Sequence, residues 1–387
     1  MVETVKGFSE YSGEEALKRE KIKEILIKNF KMFGFEPVET PIIEFEEFVK
    51  GDNEFDEAVS DTFKLKDRGE RKLALRYEFT FQLKRLANNK KLPYKRYQIG
   101  EVFRDEPTSS NRFRQITQCD IDVIGSFVKE EAEILFIVSS VLKQLGIKTE
   151  ITINSRKLLN SIIKKLGITN TEFVIREIDK LDKIGEDQVK SNLAKFIEKK
   201  EIINLMKMLD KNLTFFKKFE GYKEIKELID LCRKYKVRVK FSPTLARGLS
   251  YYNGSVFEIK TKEMKESICG GGSYLINGIQ STGISLGLER LSQLAKIKVD
   301  NKKILIISIE QDKKAIQLAD KIRKLDIPCS IMYGKPGKAL DYANSYKIPY
   351  VIFLGKDEAK KKKIKLRNMK TGKEKLIPEK ELIKSII

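Results

Sequence analysis

Phe103-Arg104-Asp105-Glu106, a polar loop, and then Arg112-Phe113-Arg114-Gln115-Ile116-Thr117-Gln118-Cys119-Asp120-Ile121-Asp122 form the stretch on which the reading of this chain turns. Successive side chains of a strand point to opposite faces, so Arg112, Arg114, Ile116, Gln118, Asp120 and Asp122 fall on one face. A merely solvated face is polar throughout and has no use for one isoleucine among five hydrogen-bonding residues. An apolar seat for a planar ring, flanked by cations for phosphates and acids for a cationic substrate, uses both. Residues 96–104 are also strand-like, and the two runs are expected to pair as an antiparallel hairpin.

Outward from the hairpin, the chain is mixed. Ser12 and Glu15 have capping-box spacing, and Ile22, Ile25, Leu26, Phe30 and Phe33 recur at helical intervals, which predicts an opening amphipathic helix ended by Gly34. Pro37 and Pro41 make 37–44 extended. Helical periodicity returns over 129–145, and 155–235 is a Lys/Glu-rich stretch that reads as an inserted helical subdomain. Strand signals resume at Val256-Phe257-Glu258-Ile259, and Gly283-Ile284-Ser285-Leu286-Gly287 feeds a helix. From Lys303 the pattern changes to alternating strand and helix, through Ile304 to Ile309, Ser330 to Tyr333 and Tyr350 to Leu354, the mark of an α/β domain. The boundary is placed near residue 300, giving domains 1–300 and 301–387.

Composition narrows the class. The chain has 387 residues, 77 Lys or Arg against 56 Asp or Glu, and a net charge of +21. Such an excess favours a polyanionic partner, with nucleic acid the natural candidate. Residues 301–387 hold 22 Lys or Arg and 10 Asp or Glu, a surplus of 12, more than half of the total excess. No apolar run approaches a membrane span, and no secretory signal is visible, so a cytoplasmic protein is expected. Cys119, Cys232, Cys269 and Cys329 are scattered and histidine is absent, so no metal site is assigned to the protein itself.

The hairpin resembles motif 2 of class II aminoacyl-tRNA synthetases, and its Gln118-Cys119-Asp120-Ile121-Asp122 run is similar to the archaeal and eukaryotic form of the histidyl-tRNA synthetase family. The resemblance implies that Arg104 grips the α-phosphate of ATP, Glu106 approaches the adenine or the tRNA end, and Arg112 reaches the outer phosphates. Ile116 stands where the family stacks an aromatic on adenine. Leu245-Ala246-Arg247-Gly248-Leu249-Ser250-Tyr251-Tyr252-Asn253-Gly254 resembles the histidine signature of the family, with Ser250 replacing its usual aspartate. Arg247 is thereby assigned to the carboxylate and α-phosphate, and Tyr251 and Tyr252 to the histidine pocket, Tyr252 on the imidazole.

Leu75-Arg76-Tyr77-Glu78-Phe79-Thr80 resembles the segment whose acid and threonine, here Glu78 and Thr80, hold the α-amino group. Gln118 and Asp122 complete the histidine set, with Asp122 facing the ring. Gly270-Gly271-Gly272-Ser273-Tyr274 looks like the glycine-rich floor under the substrate, with Gly271 and Gly272 beneath it. Ser273 and Leu275 depart from the Arg and Asp that the family carries. Gly283 to Leu291 is similar to motif 3, in which Arg290 covers adenine and meets the γ-phosphate. Pro41 matches the dimer-interface proline of motif 1, and Ile348-Pro349-Tyr350-Val351 with Leu366 to Gly372 looks like an anticodon-binding domain.

The implied fold is an α+β catalytic domain built on an antiparallel sheet with a helical insertion, followed by a small α/β anticodon-binding domain. The implied substrates are histidine, ATP with Mg2+, and histidine tRNA, in a homodimer. Two other readings stay open: a synthetase-like regulatory subunit of ATP phosphoribosyltransferase, and a class II synthetase for another amino acid.

Overall fold

The computed structural model describes residues 2–51, 59, 61–109, 111–247, 251–299, 303–361 and 363–382. Two compact units, Met1–Ile297 and Lys298–Ile387, divide the chain. Among the described residues no helix is long and apolar enough to cross a membrane.

The strands of the larger unit are β1 (Glu36–Pro37), β2 (Ile43–Phe45), β3 (Lys64–Lys66), β4 (Lys72–Leu75), β5 (Tyr94–Phe103), β6 (Gln115–Ile124), β7 (Glu150–Ser155), β8 (Val239–Phe241), β9 (Tyr252–Thr261), β10 (Met264–Ile276) and β11 (Ile279–Gly287). Eight of them form one sheet in the order β1-β5-β6-β11-β10-β9-β7-β8. The six inner strands are antiparallel, and β1 and β8 add parallel edges. The expected hairpin is β5 and β6, in register from Tyr94 opposite Ile124 to Phe103 opposite Gln115.

Alternation gives the sheet two chemically different faces. Cys119, Ile121, Phe257, Ile259, Cys269, Ile284 and Leu286 point into the main core with Ile22, Leu26 and Phe30 of the Gly13–Met32 helix and Ile134, Leu135, Val138 and Val141 of the Val128–Gln144 helix. Burying a side chain of this size contributes about 1.5–3 kcal/mol, so these helices are set by their apolar stripes. The capping box expected at Ser12 does not form: Ser12 is the N-cap but its side chain makes no capping bond. Helices from Arg156 to Lys234 lie between β7 and β8 in sequence, and their Leu158, Ile162, Ile175, Val189, Leu205, Ile225 and Leu228 join the same core.

The smaller unit is a five-stranded sheet, β13-β12-β14-β15-β16, from β12 (Ile304–Ser308), β13 (Cys329–Tyr333), β14 (Tyr350–Leu354), β15 (Lys363–Asn368) and β16 (Glu374–Pro378). The first three pair in parallel and the last two antiparallel. Ile304-Leu305-Ile306-Ile307 is apolar without a break because both faces are covered. Ile304 and Ile306 pack with Ala315, Leu318 and Ile322 of the Asp312–Arg323 helix, and Leu305 and Ile307 with Ala339 and Ala343 of the Pro336–Ser345 helix.

Candidate active site

The face of the large sheet opposite the core is crossed by three rows of neighbouring residues. They are Gly100, Gln118 and Gly287; Gln98, Asp120, Ser285, Gly270 and Glu258; and Arg96, Asp122, Gly283, Gly272 and Val256. Glycines clear space in every row, because a missing Cβ lets another group lie directly on the backbone. The Arg247 guanidinium occupies the place a side chain at Gly270 would take. The Ser255 carbonyl and the Tyr252 ring do so at Gly272, and the Asp122 carboxylate with the Tyr274 hydroxyl at Gly283. Gly271 belongs to the other face, where a Cβ would meet the Phe257 ring at 2.7 Å. Of the two glycines expected in the floor, Gly272 lies on the site face with Gly270 and Gly283, and Gly271 does not, because successive positions of a strand alternate faces.

Above this floor lies a cleft lined by Arg104, Glu106, Arg112, Ile116, Gln118, Arg247 and Arg290, together with Asn111, Phe113, Ser267, Ile268, Cys269, Gly270, Ser285, Gly287 and Glu289. The three arginines singled out in sequences far apart, Arg104, Arg247 and Arg290, thus share one cavity. Arg104 is oriented by its Nε, which donates to the Tyr77 carbonyl at 3.1 Å. Glu106 lies 3.2 Å from Arg112 and 3.9 Å from Arg104. Arg290 donates from Nη1 to the Ser267 carbonyl at 2.7 Å. Burial lowers the Arg290 pKa, with Glu266 opposing and repulsion from Arg104 and Arg112 adding to it. Arg104, Arg112, Arg247 and Arg290 line the cleft against Glu106 and Glu289, so it holds more cationic charge than its acids neutralise. A polyphosphate is the complementary ligand.

Glu289 positions this end of the site. It accepts from the Thr117 N–H and from Arg19 Nη2 at 3.0 Å, and Arg19 also donates to Thr117 Oγ1 at 2.9 Å. One buried acid so ties the Leu288–Leu294 helix to β6 and to the Gly13–Met32 helix. Arg112 and Arg114 precede β6 instead of continuing it, since the chain doubles back through a Ser109–Arg112 bridge. Arg114 turns away to Asp105 at 3.1 Å.

At the other end stand the acids and phenols. Tyr251 donates to Glu78 Oε2 at 3.2 Å and is bonded to the Thr80 hydroxyl as well. Tyr251 and Tyr252 pack with ring centroids 4.7 Å apart, and Tyr274 closes edge-on at 5.5 Å from Tyr251. Burial raises the pKa of all three phenols, so they stay protonated donors at neutral pH. Asp122 accepts from the Tyr274 hydroxyl and is paired with Arg96 Nη2 at 2.7 Å; burial raises its pKa while Arg96 opposes. Arg247 Nη1 is 3.6 Å from Glu258. Ser250, with Gly248 and Leu249, lies outside the described residues.

Several of these residues escaped the sequence reading. Arg96 is found only by pairing β5 with β6, which sets it opposite Asp122. Phe113 had a signal: it is the aromatic nearest to Ile116 in the run, and it lines the same cleft. Ser273, a departure from the resembled pattern, faces the core and bonds Glu131 of the Val128–Gln144 helix, where burial pushes that carboxyl up to about 7. Leu275, the other departure, is half exposed.

Gly270 gives a direct test of the floor. Gly270→Ala is expected to push the Arg247 guanidinium aside, since a side-chain tip yields more easily than backbone, and to slow any chemistry at the cleft by about 10- to 100-fold. Turnover with an unchanged melting temperature is the measurement; full activity would mean that Arg247 does not work from this position.

The histidyl-tRNA synthetase family model matches residues 7–291, and the anticodon binding domain model matches residues 303–387. Histidine-tRNA ligase 1 of Bacillus cereus is 33% identical over 415 residues, covering 97% of this chain and 97% of that protein. The histidine-tRNA ligase of Clostridium tetani is 33% identical over 430 residues, covering 98% and 97%. The crystal structure of histidyl-tRNA synthetase from Nostoc sp. PCC 7120 matches with a TM-score of 0.85 at 25% identity, over 99% of this chain and 98% of that one. An antiparallel sheet carrying converging arginines, a C-terminal α/β unit, and full-length matches of this quality agree: the chain belongs to the histidyl-tRNA synthetase family.

Proposed function

We infer that the chain is a histidine-tRNA ligase that works in two steps at the cleft described above. A carboxylate oxygen of histidine attacks the α-phosphorus of ATP, the bond to the β-phosphate oxygen breaks, and pyrophosphate leaves. A hydroxyl of the terminal tRNA ribose then attacks the acyl carbon of the adenylate and AMP leaves. The observation that carries the reading is the meeting of Arg104, Arg247 and Arg290 in one cavity that also contains Gln118.

In this reading Arg104 and Arg247 stabilise the charge that builds on the α-phosphate, a task for fixed donors and not for a general base. Arg112 and Arg290 take the outer phosphates, and the adenine lies against Ile116 with Glu106 near its edge. Glu78, Thr80 and Gln118 hold the amino-acid end of histidine, with Tyr251 bracing Glu78. Tyr252 and Asp122 face the imidazole. Mg2+ accompanies ATP as its counter-ion, and the cleft offers two carboxylates of the oxygen type it takes. Both are already engaged, Glu289 by Arg19 and Thr117 and Glu106 by Arg112, so the ion is assigned to the phosphates with no firm protein ligand. Residues 1–300 are the catalytic domain, with the insertion over about 155–235, and 301–387 bind the anticodon of histidine tRNA.

A homodimer is part of the same proposal. The segment after Pro41 exposes Ile42, Ile43 and Phe45, an apolar strip that a second copy would cover. The Gln118 to Asp122 run is assigned to the archaeal and eukaryotic type of motif 2, and the protein to the cytoplasm. ATP–pyrophosphate exchange with each of the twenty amino acids tests the function. Histidine is expected to drive exchange at least about 100-fold above the others, because a site that hydrogen-bonds a ring N–H rejects analogues lacking it. No exchange with histidine, or equal exchange with another amino acid, would overturn the reading.

A further inference from the structure

One buried acid on the site face has no place in the chemistry so far. Asp120 is 5% exposed and lies in the middle row, between Gln98 and Ser285. It shares its face with Gln118, and both Gln118 and Ser285 line the cleft. Gln118 Nε2 donates to Ser285 Oγ at 2.7 Å, which turns the serine proton toward Asp120, and the two are hydrogen-bonded. Asp120 Oδ1 is buried with no hydrogen-bond partner among the described residues.

Its neighbour Asp122 is differently placed. Arg96 and Tyr274 already engage that carboxylate from within the sheet. Three acids, Glu78, Asp120 and Asp122, stand at this end of the site, and Arg96 is the buried cation that faces them. An α-ammonium on Glu78 and Arg96 on Asp122 leave one carboxylate over. An ionised acid held from water with an open lone pair is costly, and a donor arriving with the ligand relieves that cost.

Resting on the reading of the site as a histidine pocket, we infer that Asp120 is a specificity-determining residue that accepts a hydrogen bond from the second ring nitrogen of the substrate. The imidazole is then held protonated, one N–H on Asp120 and the other directed to the Asp122 and Tyr252 side. Burial pushes the Asp120 carboxyl up to about 7, with Arg96 opposing and Asp122 and Glu78 reinforcing. An ordinary imidazole has a pKa of about 6.5, so acid and ring are matched for one shared proton. Where Asp120 is protonated in the empty site its proton passes to the ring, and where it is ionised the ring brings the proton; either route ends in the same ion pair. Ser285 and Gln98 flank the acid as neutral groups.

The test uses the full chain in ATP–pyrophosphate exchange, with histidine and with 1,2,4-triazolylalanine, an isostere whose ring is not protonated near neutral pH. The wild-type protein is expected to favour histidine in kcat/KM by about 10- to 100-fold, the range of a hydrogen bond to a charged group. Asp120→Asn is expected to raise KM for histidine by a similar factor, to move kcat little, and to shrink the preference. Equal use of both substrates by the wild type overturns the proposal without any variant. So does an Asp120→Asn protein that melts normally and keeps both KM and preference. Absence of histidine-dependent exchange in the wild type would instead overturn the histidine reading, and this inference with it.

Discussion

Arg247→Ala is expected to lower histidine-dependent adenylate formation by roughly 10²- to 10³-fold, the scale of a lost transition-state donor. The guanidinium lies on the bare backbone of Gly270, in the row that continues through Ser285 and Asp120, so its charge is aimed at the centre of the cleft. Burial opposes that charge, but the groups around it, the Glu258 and Asp179 carboxylates among them, more than offset the burial and raise the Arg247 pKa. Stability should change little. Glu258 keeps Lys260 at 3.2 Å, and Lys260 in turn holds Asp182 at 2.7 Å, so no acid is stranded. Arg247→Lys separates charge from shape, since an ammonium cannot grip carboxylate and phosphate with a fork. Lysine is expected to recover only part of the loss. Pyrophosphate exchange in the two variants decides it, and a wild-type rate in Arg247→Ala would remove Arg247 from the chemistry.

How much of this site could be read beforehand depended on where the information sits. Gln118, Asp120 and Asp122 were legible because two-residue alternation is local and β6 is paired on both sides, which holds its register. The apolar run of β12 was legible because an unbroken apolar stretch of strand length is also a local signal. The strand start at Gln115 was not, because the bridge from Ser109 to Arg112 that ends the alternation is a property of the loop. Gly271 could have been set aside from alternation alone, as the odd member between Gly270 and Gly272. What Ser273 does could not have been found, since its partner Glu131 is 142 residues away and on a different element. The pairing of Arg96 with Asp122 needed the hairpin register before either residue had a meaning. Elements followed from periodicity, then, and partners only from topology.

That last pair gives the largest stability prediction. Arg96 is fully buried, its Nη2 is 2.7 Å from Asp122, and its Nε and Nη1 make no hydrogen bond among the described residues. Arg96→Met keeps the volume and removes the charge, leaving Asp122 with the Tyr274 hydroxyl and no cation. Breaking a buried pair in this way costs about 3–5 kcal/mol, a large share of the roughly 5–15 kcal/mol that holds a typical domain folded. Asp122→Asn alone strands Arg96 and should cost a comparable amount. The double variant strands neither, so more than half of the loss is expected to return, a coupling that denaturant titration of all four proteins measures. Single variants that lose less than about 1 kcal/mol, or a double variant whose loss is the sum of the two, would mean that the pair does not hold this face together. Recovered stability should come without recovered function: the double variant presents an amide where Asp122 was to face the ring, and its KM for histidine should stay high while its fold is restored.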